Sequence, residues 1–456
     1  MIVYKIFSIE DVFFYICIRT IFNICLYGID MNDAVTIIVG AGAVLDFDHK
    51  GIVPLVKNIT NEVLDLKIQN YYGEETLLIR HVHDNIVARL KEVGNPEVRR
   101  FQKPYLNFEE LLHVLEMCYT YSSCWRDEYC HWQAVPLFGA LVNPNISLSN
   151  ITTMDYVRAA ITLESKVMEI VNNYDSLFKN DKQSELWYRI FWNALGRADI
   201  FTLNYDSTIE NSISAYEDGF DERYNDKGYS RFNAKKYYEN PCGKSTISHL
   251  HGSILYSEAK TFPFEYSIRD LVKNVNYETA NKNRLGAQSE PSSQAKEKYV
   301  QPYIISGSKK TEKLVNAPYN VYLSNLSRKV IENKRLMIIG YSFGDLYLNE
   351  ILGLGMAVHG DDFKVVIIDK YPQDVNRYVS LMRHIVNNCS GGTYSFISRM
   401  VKDRLYVQPG QKEFPLNIRD YKSPIISSSG NLMMCISGFK DAVERHLGTI
   451  KNHLGI

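Results

Sequence analysis

No sign of charge predominates in this 456-residue chain, where 51 lysines and arginines meet 52 aspartates and glutamates. That balance gives no global field to draw the molecule to nucleic acid or to an anionic membrane surface, so neither is expected as a partner. The eight cysteines include no Cys-x-x-Cys pair. Cys118, Cys124 and Cys130 recur every six residues, a spacing that turns them to different faces of a helix, whereas zinc ligation needs convergent spacing. No metal is expected, and scattered free thiols fit a reducing cytoplasm. An uninterrupted apolar run of spanning length is lacking too. The Ile-, Phe-, Tyr- and Cys-rich stretch Met1 to Asp30 comes nearest, but Arg19 interrupts it and no small-residue cleavage site follows. Residues 1–30 are read as an added helix or an upstream mis-start, and 31–456 as a single domain. No internal repeat is visible.

What the chain has instead is a series of apolar strands that stop at polar or glycine clusters. The one around which the rest is organised is Asp199-Ile-Phe-Thr-Leu-Asn-Tyr-Asp206, where a buried strand ends by presenting an amide, a phenol and a carboxylate. Val35 to Val39 is a continuous β-rich run of the kind found in buried parallel strands, and it breaks at Gly40-Ala41-Gly42. Ser245 to His251 reads as a strand ending at Gly252. Tyr303 to Ser306 is a further short strand, Arg335 to Ile339 stops at Gly340-Tyr-Ser-Phe-Gly-Asp345, and Lys364 to Ile368 stops at Asp369. Helical spacing marks Leu55–Asn70, Tyr319–Glu332, Asp345–Ala357 and Ser437–Leu447. Residues 73–198 are mostly helical in pattern and read as an insertion, while the polar residues 273–298 read as a flexible loop or lid. Strands alternating with helices imply an α/β fold: a doubly wound, mostly parallel, Rossmann-like sheet with a large helical insertion. Ligands in such folds bind outside the carboxyl ends of the strands, so Asn204 and Asp206 are expected to face a dinucleotide.

Each motif has a plainer reading. Gly40-Ala41-Gly42 suits a phosphate-approaching loop, since missing Cβ atoms let backbone N–H groups near an anion. Leu45 stands where a third glycine would be, and a simple tight turn explains the pair equally well. Gly340-Tyr-Ser342 could hold another part of the ligand, or could be a strand-to-helix turn with Ser342 as its N-cap. His249 and His251 are read as sharing one strand face; they are satisfied core histidines, or one of them takes a ribose hydroxyl proton.

In the order Gly-Ala-Gly, Thr-x-Asn-x-Asp, His-Gly, Gly-x-Ser, the four motifs together resemble the sirtuin-like NAD-binding family over roughly residues 34–370. Sirtuins carry Gly-Ala-Gly, Thr-Gln-Asn-Ile-Asp, His-Gly and Gly-Thr-Ser in that order. Thr202-Leu-Asn204-Tyr-Asp206, His251-Gly252 and Gly340-Tyr-Ser342 are similar to the variant forms of bacterial anti-phage defence proteins. The span between His-Gly and Gly-Tyr-Ser holds no cysteine, so the deacylase zinc ribbon is missing. Val44 replaces a family serine, and Asp46-Phe47-Asp48 only echoes the Pro-Asp-Phe-Arg loop.

The resemblance implies an NAD+ hydrolase that cleaves the nicotinamide–ribose bond with water in place of acyl-lysine. Asn204 and His251 would be catalytic. Gly40, Ala41, Gly42 and Ser342 would hold the pyrophosphate side, with Asp46, Thr202 and Gly340 also on the cofactor. Asp206 would place the nicotinamide or its ribose, or merely tie down its loop; Asp369 would reach the adenine-side ribose or cap a helix. The resemblance also implies NAD depletion on phage infection (abortive infection), held off by homo-oligomeric packing or by a partner such as a HerA-type ATPase, with residues 73–198 as the assembly surface. The alternatives are a non-catalytic NAD or ADP-ribose binding subunit, and a protein deacylase or ADP-ribosyltransferase.

Overall fold

A computed structural model describes residues 34–47, 56–70, 73–93, 106–123, 153–180, 186–221, 224–240, 243–260, 269–289, 303, 314, 316–370, 424–426 and 430–456. Residues 1–30, Cys124, Cys130 and the expected strand beyond Tyr303 lie outside them.

The first strand, β1 (Val35–Val39), is buried along its whole length, as its unbroken apolar run requires of a strand covered on both faces. The chain then makes an excursion before it returns to the sheet. Helix α1 (Val56–Leu64), a hairpin of β2 (Ile68–Gln69) and β3 (Glu75–Thr76), then helices α2 (Leu78–Val93), α3 (Phe108–Ser123), α4 (Thr153–Asn180) and α5 (Leu186–Ala194) precede β4 (Ala198–Thr202). Over its described residues the insertion is mainly helical, that hairpin aside. It has its own core, with Val63, Leu111, Leu115, Leu163 and Val167 meeting Tyr205 and Ile254 from the loops beyond the strand ends and Tyr256 from the strand that follows.

After β4 come β5 (Tyr216–Glu217), β6 (Tyr229–Arg231), α6 (Ala234–Glu239), β7 (Ser245–His249), β8 (Tyr256–Lys260) and β9 (Arg269–Asn274). Next are α7 (Tyr277–Ser289), α8 (Tyr319–Glu332), β10 (Arg335–Ile339), α9 (Leu346–His359), β11 (Lys364–Ile368), β12 (Ile425–Ile426), β13 (Leu432–Cys435) and α10 (Phe439–Leu454). The main sheet has eight strands in the order β12-β13-β11-β10-β1-β4-β7-β5, and every pair but β12–β13 is parallel. Strands β6, β9 and β8 form a separate antiparallel sheet. One face of the main sheet packs on α5 and α10, with Ile37, Ile200 and Met337 against Tyr188, Phe191 and Phe439. The other face packs on α8 and α9, with Ile38, Phe201 and Ile338 against Tyr322, Leu326 and Leu352.

The expectation of a flexible loop at 273–298 is corrected over its described part. Residue 273 lies within β9, and α7 covers 277–289. The helix has almost no apolar stripe to advertise it and is anchored by one cation. Buried Arg284 donates to the carbonyls of Tyr256 and Ile254, and its guanidinium lies over the Tyr277 and Tyr303 rings at 5.6 and 5.4 Å.

Candidate active site at the strand ends

Strand order reverses between β1 and β10: the chain moves from β1 to β4 and β7 on one side, then crosses to β10 and β11 on the other. A crevice opens at such a switch point, outside the carboxyl ends of the strands. Register makes the four motif loops leave the sheet at one level. Ile339, Val39, Thr202 and His249 form a single row across β10, β1, β4 and β7. Ala41, Asn204, His251 and Tyr341 therefore all stand two residues beyond that row.

The glycine loops interlock. A Cβ on Gly40 would lie 2.6 Å from the Gly340 oxygen, one on Gly42 2.7 Å from the Gly340 Cα, and one on Gly340 2.1 Å from the Ala43 nitrogen. Gly340 also adopts φ +60, open to glycine without strain. The Gly40 and Gly42 N–H groups donate to Ile339 and Gly340 carbonyls, both at 2.8 Å. These two N–H groups are engaged within the protein, and the glycines let two backbones touch. Ala41 is exposed at the head of the turn, where N–H groups lack partners within the turn. Ser342 is exposed as well, and its hydroxyl has no hydrogen-bond partner among the described residues. It is not the N-cap of α9; Asp345 is, its carboxylate accepting from Leu348 N at 3.2 Å.

Asn204 is tied through its main chain and open at its side chain. Its N–H donates to Thr202 Oγ1 at 3.0 Å, and its carbonyl oxygen lies 3.1 Å from His249 Nδ1. Among the described residues its carboxamide has no partner. Thr202 itself is buried and supports Asn204 from below. Tyr205 turns into the core of the insertion, its hydroxyl 3.4 Å from Glu109. Asp206 is buried and accepts from Thr208 N at 3.1 Å and Thr208 Oγ1 at 2.5 Å, so it ties down its own loop. Burial, with Asp175 and Glu210 nearby, raises its carboxyl to about 6 despite the Thr208 bonds. Asp175 belongs to α4 and receives Ser207 N at 2.9 Å and Ser207 Oγ at 2.8 Å. The helical insertion is thereby clamped onto the loop that carries Asn204.

The two histidines part company, each taking its own carboxylate. His249 Nε2 lies 2.7 Å from Glu210 Oε1, and His251 Nε2 lies 3.4 Å from Asp345 Oδ2. Side-chain exposures of 11% for His251 and 16% for Asp345 leave this second pair only partly shielded. Sequence reading took Asp345 for the start of a helix, and no local signal links it to a residue 94 positions earlier. Its loop is held in shape by Asn349, which donates to the Phe343 oxygen at 3.0 Å and accepts from Tyr341 Oη at 2.9 Å. Phe343 is thereby kept at φ +58.

Two other expected ligand contacts are engaged within the protein. Asp46 accepts from Lys370 Nζ at 2.6 Å and from Lys440 N at 3.1 Å. It supplies the capping oxygen that Gly438, the N-cap of α10, lacks. A Cβ on Gly438 would sit 2.4 Å from Asp46 Oδ2, so glycine leaves room for that carboxylate. Asp369 accepts from the Lys370 N–H at 2.7 Å. The structure therefore brings Asn204, His251, Ala41 and Ser342 to one edge, and assigns Asp46, Asp206 and Thr202 to supporting contacts.

Among the described residues no group of three or more His, Cys, Asp or Glu side chains is disposed to hold a metal ion, and no helix is long and apolar enough to cross a membrane. No curated protein matches the chain. Residues 198–379 match the model of a family described as a SIR2-like domain. The matched span runs from β4 past β11 and holds Asn204, His251, Gly340, Ser342 and Asp345; the Gly40 loop and the helical insertion lie before it. A SIR2-like domain points to NAD-related, generally enzymatic chemistry. The match and the parallel α/β sheet together support a sirtuin-like family for the part of the chain that carries the site.

Proposed function

We propose that this site hydrolyses NAD+ at the nicotinamide–ribose bond. The observation that carries the reading is the pairing, at one strand-end level, of an Asn204 carboxamide that has no partner among the described residues with a His251–Asp345 couple. Breaking the C1′–N bond releases neutral nicotinamide and leaves an oxocarbenium-like ribose, so the reaction needs placement and charge stabilisation more than a strong nucleophile. Asn204 orients the attacking water against C1′. With Asp345 Oδ2 3.4 Å from its Nε2, His251 is the base that takes the proton that the water, or a ribose hydroxyl, gives up. The oxygen of that water ends on C1′, and the products are nicotinamide, ADP-ribose and a proton. Asp345 stabilises the imidazolium that forms. Ala41 and Ser342 lie on the pyrophosphate side, and Asp369 on the adenine side.

Water as the acceptor fits a cysteine-free span between β7 and β10, which lacks the ligands of a zinc ribbon. The same reading extends to a cellular role: depletion of NAD+ in anti-phage defence, restrained in healthy cells by self-association through the insertion or by a HerA-type ATPase. Nicotinamide release from NAD+ by purified protein, with and without such a partner, tests it. Release abolished by Asn204→Ala and by His251→Ala is the expected result. NAD+ binding with no release under any condition would favour a binding subunit instead.

A further inference from the structure

His249 closes β7 with its imidazole fully buried and both ring nitrogens engaged. Nδ1 lies 3.1 Å from the main-chain oxygen of Asn204, and Nε2 2.7 Å from Oε1 of Glu210. A peptide oxygen only accepts hydrogen bonds, and so does a carboxylate. A neutral imidazole has a single N–H and would turn a lone pair against one of these acceptors. The imidazolium satisfies both.

We propose that His249 is held as an imidazolium and serves as a positioning residue, its Nδ1–H fixing the main-chain carbonyl of Asn204 so that the Asn204 carboxamide meets the substrate. This rests on the reading of Asn204 as the residue that orients water. The neighbouring contact completes the clamp: Thr202 Oγ1 holds the Asn204 N–H, so the residue is fixed at both ends of its main chain.

The surrounding charges favour that state. Burial opposes the cation, but Glu210 beside it raises the imidazole above its ordinary value. Burial likewise opposes the Glu210 carboxylate, and the His249 charge and its hydrogen bond, with Lys273, hold that carboxyl well below its usual range. The groups facing the ring are Glu210 from the β4 loop, Lys273 from β9 and the Tyr256 ring of β8, 6.1 Å away. Lys273 is neutralised in turn by Asp218 at 2.5 Å and reaches Tyr216 Oη at 3.3 Å. Because the folded value is raised, the clamp holds below the folded value and is lost as pH rises through it.

Two measurements on the full chain test this. In 15N-histidine-labelled protein at pH 7.0, the His249 resonances, assigned by their loss in His249→Gln, should show two protonated ring nitrogens, and the Tyr205 amide should shift as His249 titrates. A neutral imidazole at pH 7.0 overturns the proposal whether or not the protein cleaves NAD+, so failure of the hydrolase reading is seen separately. In nicotinamide release from NAD+, folded His249→Gln should lose about tenfold or more in kcat with KM within about twofold. Glu210→Gln, which keeps an acceptor but removes the charge, should move the alkaline limb of the kcat profile to lower pH. A wild-type kcat in the first variant, or an unmoved limb in the second, also overturns it.

Discussion

Asp345 Oδ2 lies 3.4 Å from His251 Nε2 although their strands, β10 and β7, are separated by β1 and β4. Strands are spaced about 4.8 Å apart, so the loop from Gly340 to Asp345 spans about 14 Å over the carboxyl ends of both. The contact gives the histidine a counter-charge, while the same aspartate starts α9.

That double duty can be separated. Asparagine caps helices as well as aspartate does, so Asp345→Asn should keep the start of α9 while removing the charge. Nicotinamide release should fall about tenfold to a hundredfold in kcat, with KM nearly unchanged and the acid limb of the pH profile moved down. Asp345→Ala should show the same loss of rate and also lose roughly 1 kcal/mol of stability to chemical denaturation.

The glycine loops should be intolerant in proportion to their contacts. Gly340→Ala combines a left-handed backbone with a Cβ 2.1 Å from a main-chain nitrogen, so the two loops must part. A loss of about 2 kcal/mol or more is expected from denaturant titration. Gly353→Ala, in the interior of α9 with nothing within 4 Å of the new Cβ, should instead stabilise by about 0.5–1 kcal/mol.

Asp206 should make stability depend on pH in a defined sense. Its carboxyl is raised from 3.8 to about 6, so the folded state binds the proton more tightly than the unfolded chain does. The stabilisation is present below about pH 4 and is lost as pH rises through about 6, amounting to roughly 3 kcal/mol at most. Asp206→Asn, which keeps an oxygen for Thr208, should flatten that part of the stability–pH curve and be more stable than the parent at pH 7.5. A steeper curve in the variant would contradict the assignment.

Much of the sheet can be read from the chain because β1, β4, β10 and β11 are buried on both faces. Their mostly apolar runs end sharply at glycine, asparagine or aspartate. The small sheet is hidden because β8 and β9 are rich in polar residues and show no regular apolar alternation, and because α7 relies on Arg284 rather than on an apolar stripe. Asn204 and His251 stand out because each lies two residues past a strand end. Asp345 does not, since its partner is set by the path of a loop over two other strands. Asp46 misleads for a related reason: it follows a glycine loop, yet its partner Lys440 N lies 394 residues onward. Periodicity reports what faces a core, and says little about which distant backbone a lone carboxylate will cap.

The most direct test of the central reading is release of nicotinamide from NAD+ by the purified full-length chain, alone and with candidate partners. We expect stoichiometric nicotinamide and ADP-ribose from the parent protein, with Asn204→Ala and His251→Ala each reducing release by at least a hundredfold while folding normally. Undiminished release from both variants would contradict the account.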